Sequence, residues 1–248
     1  MEDSLKKTHR NKRKLYFRFL KKIMKCRYKE PEFIYLGEKI GCSSLIVSNH
    51  EGTDAPMSLE IYLDKPMRMW GASEMNSGLI SMYKYQSRVY FHEKKHWNIH
   101  LARLFCLIAS PLTNLFYSGL DLISTYRDTR LVKTMRESIQ AIKDGDNIVA
   151  FPEISDKGYL AELEGFHEGT VLLAEFCYKR GIDIPIFVTY FRKSDLKYII
   201  DKPVLYSELA SDGKTRAEIA AELCRRCNAL GKMQFNADEK ASLSQKIS

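Results

Sequence analysis

The chain has 248 residues, 45% of them apolar, enough to bury a substantial core in one large domain, which excludes a disordered or fibrous protein. Its formal net charge of +8 is concentrated at one end: residues 1–29 hold 12 Lys/Arg against 2 Asp/Glu, and the remainder is slightly acidic. A nucleic-acid binder would carry its basic, aromatic-interleaved surface onto the folded body, so the charge points to an anionic membrane surface and to no nucleic-acid partner.

The N-terminal arm, residues 1–30, holds one periodic segment at 14–26. Tyr16, Phe19, Leu20, Ile23 and Met24 recur at helical spacing, with Lys14, Arg18, Lys21, Lys22 and Lys25 on the other side. The pattern predicts an amphipathic helix that either lies on anionic lipid or packs on its own domain. The arm lacks the apolar run of a secretory signal, so the six cysteines are expected to be reduced thiols. Cys224 and Cys227 have CxxC spacing, but no second pair follows, and they read as helix thiols rather than zinc ligands.

Pro31 ends the arm and opens a domain over 31–235. Strands are expected at 33–37 and 43–49, a helix from Asp54 to about Leu63, a strand at 67–72 and a helix at 73–84. Residues 93–118 read as mostly helical, broken near Pro111. Within them, "LARLFCLIASPLTNLFYSGL" (101–120) is apolar but interrupted by Arg103, Pro111 and Asn114. It is expected to be a buried or interfacial hairpin rather than a membrane span. There follow a strand at 120–126, a helix ending at Gly145, a strand at 147–153 and a helix at 169–181. Strands at 183–191 and near 197–204, a helix at 214–231 and a frayed tail at 236–248 complete the chain. The alternation predicts an α/β fold, a mostly parallel central sheet flanked by helices.

"HEKKH" (92–96) spells a zinc-protease signature, but its central lysines would set cations beside the metal, so the match is read as accidental and no metal is expected.

His50, Arg127 and Glu153 each follow an expected strand, at the rim where open α/β sheets bind ligands. A base, a cation and a carboxylate from three separate segments would meet there. His50 with Asp54 four residues on could be a general base steered by a carboxylate, or Asp54 could be a helix cap.

The blocks "SNHEGTDAP", "STYRDT", "DGDNIVAFPE", "EGFHEGTVLLA" and "IPIFVTY", in this order over about residues 43–205, resemble the PlsC-type glycerolipid acyltransferases. The resemblance implies an O-acyltransferase that moves a fatty acyl group from a CoA or acyl-carrier-protein thioester to a hydroxyl of a lysophospholipid-like acceptor, without a further cofactor. It implies a peripheral protein on the inner, cytoplasmic face of the cell membrane. His50 then matches the base and Asp54 its orienting carboxylate. Arg127 matches the arginine that meets the acceptor's phosphate. Asn49, Phe151, Pro152 and Glu153 match acceptor-binding positions, and Pro185 matches the fourth block. Two departures stand out. Three residues separate His50 from Asp54 where the family has four, and "FPEISDKG" replaces FPEGTRS, leaving Lys157 as the nearby cation. They keep open the alternative of a lipid-binding protein of the same fold that has lost catalysis.

Overall fold

A computed structural model describes residues 15–126, 128–154, 158 and 160–235. The expected tail lies outside the described residues. The chain alternates strands and helices around one eight-stranded sheet, in the order β1-β7-β6-β2-β5-β3-β4, with β8 paired to β6. The strands are β1 Glu32–Tyr35, β2 Leu45–Ser48, β3 Met67–Ala72, β4 Ile123–Thr125, β5 Asn147–Ala150, β6 Pro185–Arg192, β7 Lys197–Ile200 and β8 Val204–Leu205. Strands β6, β2, β5, β3 and β4 are all parallel neighbours. β7 and β8 pair antiparallel with β6, and β1 at the sheet edge pairs parallel with β7. The fold is therefore the mixed α/β architecture with a mostly parallel sheet that the alternation predicts.

The sheet is buried on both faces, and the period of two sorts its side chains. Leu45, Val47, Ile148, Ile186 and Val188 face one core. That side is covered by helices α5 (Leu131–Lys143), α6 (Gly169–Tyr178) and α8 (Arg216–Lys232). Ile46, Val149, Phe187, Tyr198 and Ile200 face the other core, with Phe17 of α1 (Leu15–Arg27) and Leu59 of α2 (Asp54–Tyr62). A short helix, α7 (Tyr206–Leu209), follows β8. Cys224 and Cys227 are both buried in α8, and burial pushes the Cys224 thiol up to about 11. These are packed thiols, poor nucleophiles at neutral pH.

Three expectations are corrected here. First, the face by which α1 meets its own body is not the expected one: Phe17 is its buried residue, with its ring 5.2 Å from that of Phe116. Phe19 and Ile23, expected on the docked face, point outward, because the contact is made by the edge carrying Tyr16, Phe17 and Lys21. Second, the segment between β3 and β4 is a helical insert of mixed geometry. It runs as a 3-10 turn (Ser73–Asn76), α3 (Leu79–Lys84), a π-helix (Tyr85–Lys94) and α4 (Ile99–Tyr117). Residues 93–98 are where one helix ends and the next is capped, by Asn98 accepting from the N–H of His100. Pro111 sits inside α4 without ending it, on the exposed side where the unpaired carbonyl can meet water. Third, α4 is one continuous helix rather than a hairpin, and it is not buried: only Ala102, Cys106 and Ser110 are.

The same geometry separates the histidines of "HEKKH". His92 lies in the π-helix with its Nδ1–H donating to the carbonyl of Trp97 at 2.8 Å, while His96 lies beyond the helix with φ of 56°. The shared α-helical face that a zinc site would use is not formed by these two residues.

Candidate active site

The parallel strands bring several segments to one rim. β2 ends at Ser48 and delivers Asn49 and His50; β5 ends at Ala150 and delivers Phe151, Pro152 and Glu153. β6 ends at Arg192, and the tight β6–β7 turn delivers Lys193. β3 leads into the helical insert whose π-helix ends at Lys94. Arg127 and Lys157, both expected at this rim, lie outside the described residues.

His50 is partly buried, its ring 5.1 Å from that of Phe151 and tilted by 53°. After it the backbone turns through left-handed conformations, Glu51 at φ 39° and Gly52 at φ 66°. Gly52 accommodates that conformation without steric cost. The turn folds the Gly52 carbonyl back onto Nδ1 of the imidazole. A carbonyl only accepts, so Nδ1 carries the proton and Nε2 carries the lone pair. Burial pushes the His50 pKa down to about 4, opposed by the Gly52 hydrogen bond and reinforced by the charge of Lys94. The imidazole is neutral at physiological pH.

The sequence left Asp54 either as the carboxylate that steers this imidazole or as a helix cap. In the structure it is the Gly52 carbonyl that meets Nδ1, and Asp54 pairs with Lys193, Nζ to Oδ2 at 2.6 Å. The shortened spacing is the reason. With three intervening residues, Thr53 becomes the helix N-cap and Asp54 the first residue of α2, a position where the helix dipole favours a carboxylate. From there it meets the β6–β7 turn. The ammonium–carboxylate contact raises the Lys193 pKa.

Glu153 is buried and clamps the site from behind. Its carboxylate accepts the His50 N–H at 3.0 Å and the Leu160 N–H. Burial pushes its pKa up, while those two N–H groups and the charge of Lys94 oppose the shift. The Pro152 carbonyl accepts from the His167 N–H at 2.7 Å, and Ile154 N–H donates to Gly165 at 3.0 Å. The "FPE" stretch is thus stitched to the loop at 165–167. Phe151 supports the imidazole, Pro152 is buried, and Glu153 fixes the backbone at His50.

Asn49, expected to touch the acceptor, is buried and its amide is spent on the fold. Nδ2 donates to the Phe191 carbonyl at 3.0 Å, and Oδ1 accepts the Phe191 N–H at 2.7 Å. The amide continues the β2–β6 ladder one rung past Ser48, where the backbone has turned away. Sequence reasoning also missed Lys193 and Lys94. Lys94 was visible only inside the zinc-like string, and Lys193 only as a charge in a hairpin turn.

No family model matches the chain, and no curated protein matches it. Among solved structures it is similar to the 1-acyl-sn-glycerophosphate (LPA) acyltransferase PlsC from Thermotoga maritima. The identity is 12%, over 89% of this chain and 80% of that one, with a TM-score of 0.48.

Proposed function

We propose that the chain is an O-acyltransferase that moves a fatty acyl group from a thioester of CoA or acyl carrier protein to the hydroxyl of a lysophospholipid-like acceptor. The observation that carries this reading is the His50 imidazole, neutral and set at the carboxyl rim of the sheet, with its Nδ1–H donating to the Gly52 carbonyl. The sequence blocks around it, which resemble those of glycerolipid acyltransferases, supply the substrate class. His50 Nε2 takes the proton of the acceptor hydroxyl as its oxygen attacks the thioester carbonyl. The tetrahedral intermediate then expels the thiolate, which recovers that proton from the imidazolium. The Gly52 carbonyl orients the ring and accepts from the imidazolium, and Glu153 holds the backbone beneath it. Lys94 is close enough for its charge to act on His50 and Glu153, so it would favour an oxyanion or an acceptor phosphate at this rim. Arg127 would pair with that phosphate. The co-substrate is the thioester; no other cofactor enters the scheme. The basic arm would hold the protein at the cytoplasmic face of an anionic membrane.

The test is transfer of labelled acyl groups from acyl-CoA and from acyl carrier protein into a panel of lysophospholipids. Transfer to at least one acceptor is expected, and none to any acceptor would sink the reading. A lipid-binding protein without catalysis is then the better account, and the Asp54–Lys193 pair, which draws the carboxylate to another partner, is the observation in its favour.

The orienting carbonyl has a consequence for Asp54. A carboxylate that steers a catalytic imidazole is worth up to ~10⁴-fold in turnover. Asp54→Asn is expected to lower transfer by less than about tenfold, because the Gly52 carbonyl remains. A loss of turnover as large as that of a steering carboxylate would place Asp54 back on the imidazole.

A further inference from the structure

Helix α4 has its apolar stripe on the outside. Leu101, Leu104, Phe105, Ile108, Leu112 and Leu115 recur at i, i+3, i+4, i+7, i+11 and i+14, and all are exposed. The exposure is large in the middle, 65% at Leu104, 79% at Ile108 and 65% at Leu112. A continuous exposed face of this kind marks an interaction surface rather than scattered surface leucines. At its N-terminal end the face opens into an apolar groove lined by Trp97, Leu101, Leu104, Phe105 and Ile108.

Length and composition alone would let α4 cross a membrane: 19 residues is ~29 Å of helix, close to the thickness of a hydrocarbon core. Its attachments decide otherwise. On its inner face Ala102, Cys106 and Ser110 are buried, and Ser110 Oγ donates to Gln86 of the π-helix at 3.1 Å. At its C-terminal end Phe116 packs on Phe17 of α1, and Tyr16 bonds Ser118 at 2.8 Å. Gly119 allows that approach: a Cβ there would lie 2.3 Å from the Phe17 ring. Leu120 and Leu122 then enter the core beneath the sheet. A helix fastened along its length and at its end cannot stand across a bilayer without taking the body with it; it can lie along one.

Charge selects the occupant. The adjoining helix α1 exposes Leu15, Phe19 and Ile23 together with Arg18, Lys22 and Lys25, and it continues an arm of strong positive charge. A second copy seated across α4 would bring two such arms together, whereas an anionic lipid surface complements them. We infer that α4 lies flat in the interface of an anionic bilayer, its Leu104–Ile108–Leu112 stripe among the acyl chains and the basic residues of α1 at the headgroups. The arm thus supplies charge, and α4 supplies the apolar area. This inference is independent of the acyl-transfer reading, because its readout is binding.

The test is flotation of the full-length chain with vesicles of phosphatidylglycerol and phosphatidylcholine, and with phosphatidylcholine alone. The wild type is expected to float with the anionic vesicles and to bind the neutral ones more weakly. The triple variant Leu104→Gln, Ile108→Gln, Leu112→Gln is expected to lose at least about tenfold in partitioning, since binding scales with buried apolar area. Glutamine adds no charge, so a loss reports insertion rather than repulsion. Circular dichroism and thermal melting should match the wild type, because all three side chains are exposed. Undiminished flotation of the triple variant would overturn the inference. So would a wild type that ignores both vesicles and instead sediments as a dimer that the triple variant dissolves.

Discussion

Replacing His50 by alanine is expected to lower acyl transfer by more than ~100-fold, the loss typical of removing a positioned base. The unfolding transition should stay close to that of the wild type, because the clamp from Glu153 is made to the His50 backbone N–H and not to its ring. Transfer by His50→Ala at the wild-type rate would end the catalytic reading. The pH profile gives a second handle on the same group. Its pKa is held down at about 4, chiefly by burial, below the ordinary value for histidine. The base form is therefore present at neutral pH and lost only as pH falls toward 4. The acid limb of kcat/KM, which reports the free enzyme, is expected near pH 4, and His50→Ala should remove it from whatever activity remains. A limb at the ordinary histidine value would show that the ring is open to water in solution. The stability linkage has the same sign. Native His50 binds fewer protons than the unfolded chain between the ordinary histidine pKa and about 4, so its contribution to stability is present above that window and fades as pH falls through it.

The order of strands and helices was legible because the sheet is buried on both faces. Runs such as Leu45–Ser48 and Asn147–Ala150 are fully buried and almost wholly apolar, and local composition identifies them as strands. The insert between β3 and β4 was less legible. A π-helix has no sequence period that distinguishes it from a frayed α-helix, and Pro111 was read as a break although the exposed side of α4 tolerates it. The direction of α4 was not legible at all. Helical periodicity shows that a stripe exists; only the neighbours decide whether it faces a core or the outside. The site divides in the same way. His50 and Glu153 could be found because the ends of parallel strands are where side chains converge. The Gly52 carbonyl could not, because a backbone acceptor leaves no residue type in the sequence. Nor could the Asp54–Lys193 pair, which depends on the β6–β7 turn arriving beside the start of α2.

Asn49 is where the structure most changes the meaning of a residue next to His50. Asn49→Ala is expected to destabilise the fold and not merely to weaken an acceptor. Both polar atoms of the amide are bonded to the backbone of Phe191, and the whole arrangement is buried. Alanine would strand the Phe191 N–H and carbonyl away from water, at about 1–3 kcal/mol for each unsatisfied group. The sum is roughly 2–6 kcal/mol, a large part of the ~5–15 kcal/mol that holds an ordinary domain together. Asn49→Asp should do no better. The carboxylate can still accept from the Phe191 N–H, but it then turns an acceptor toward the Phe191 carbonyl and places a charge in a buried site. Urea denaturation separates the two roles. A lowered midpoint with an unchanged slope in both variants is the expected result. If Asn49→Ala keeps the wild-type midpoint and only raises KM for the acceptor, the amide is a substrate contact after all. The loss should also extend to the site, because β2 and β6 diverge just at this rung. Freeing the β6 end would loosen the turn that carries Lys193 as well as the backbone that sets the direction of His50.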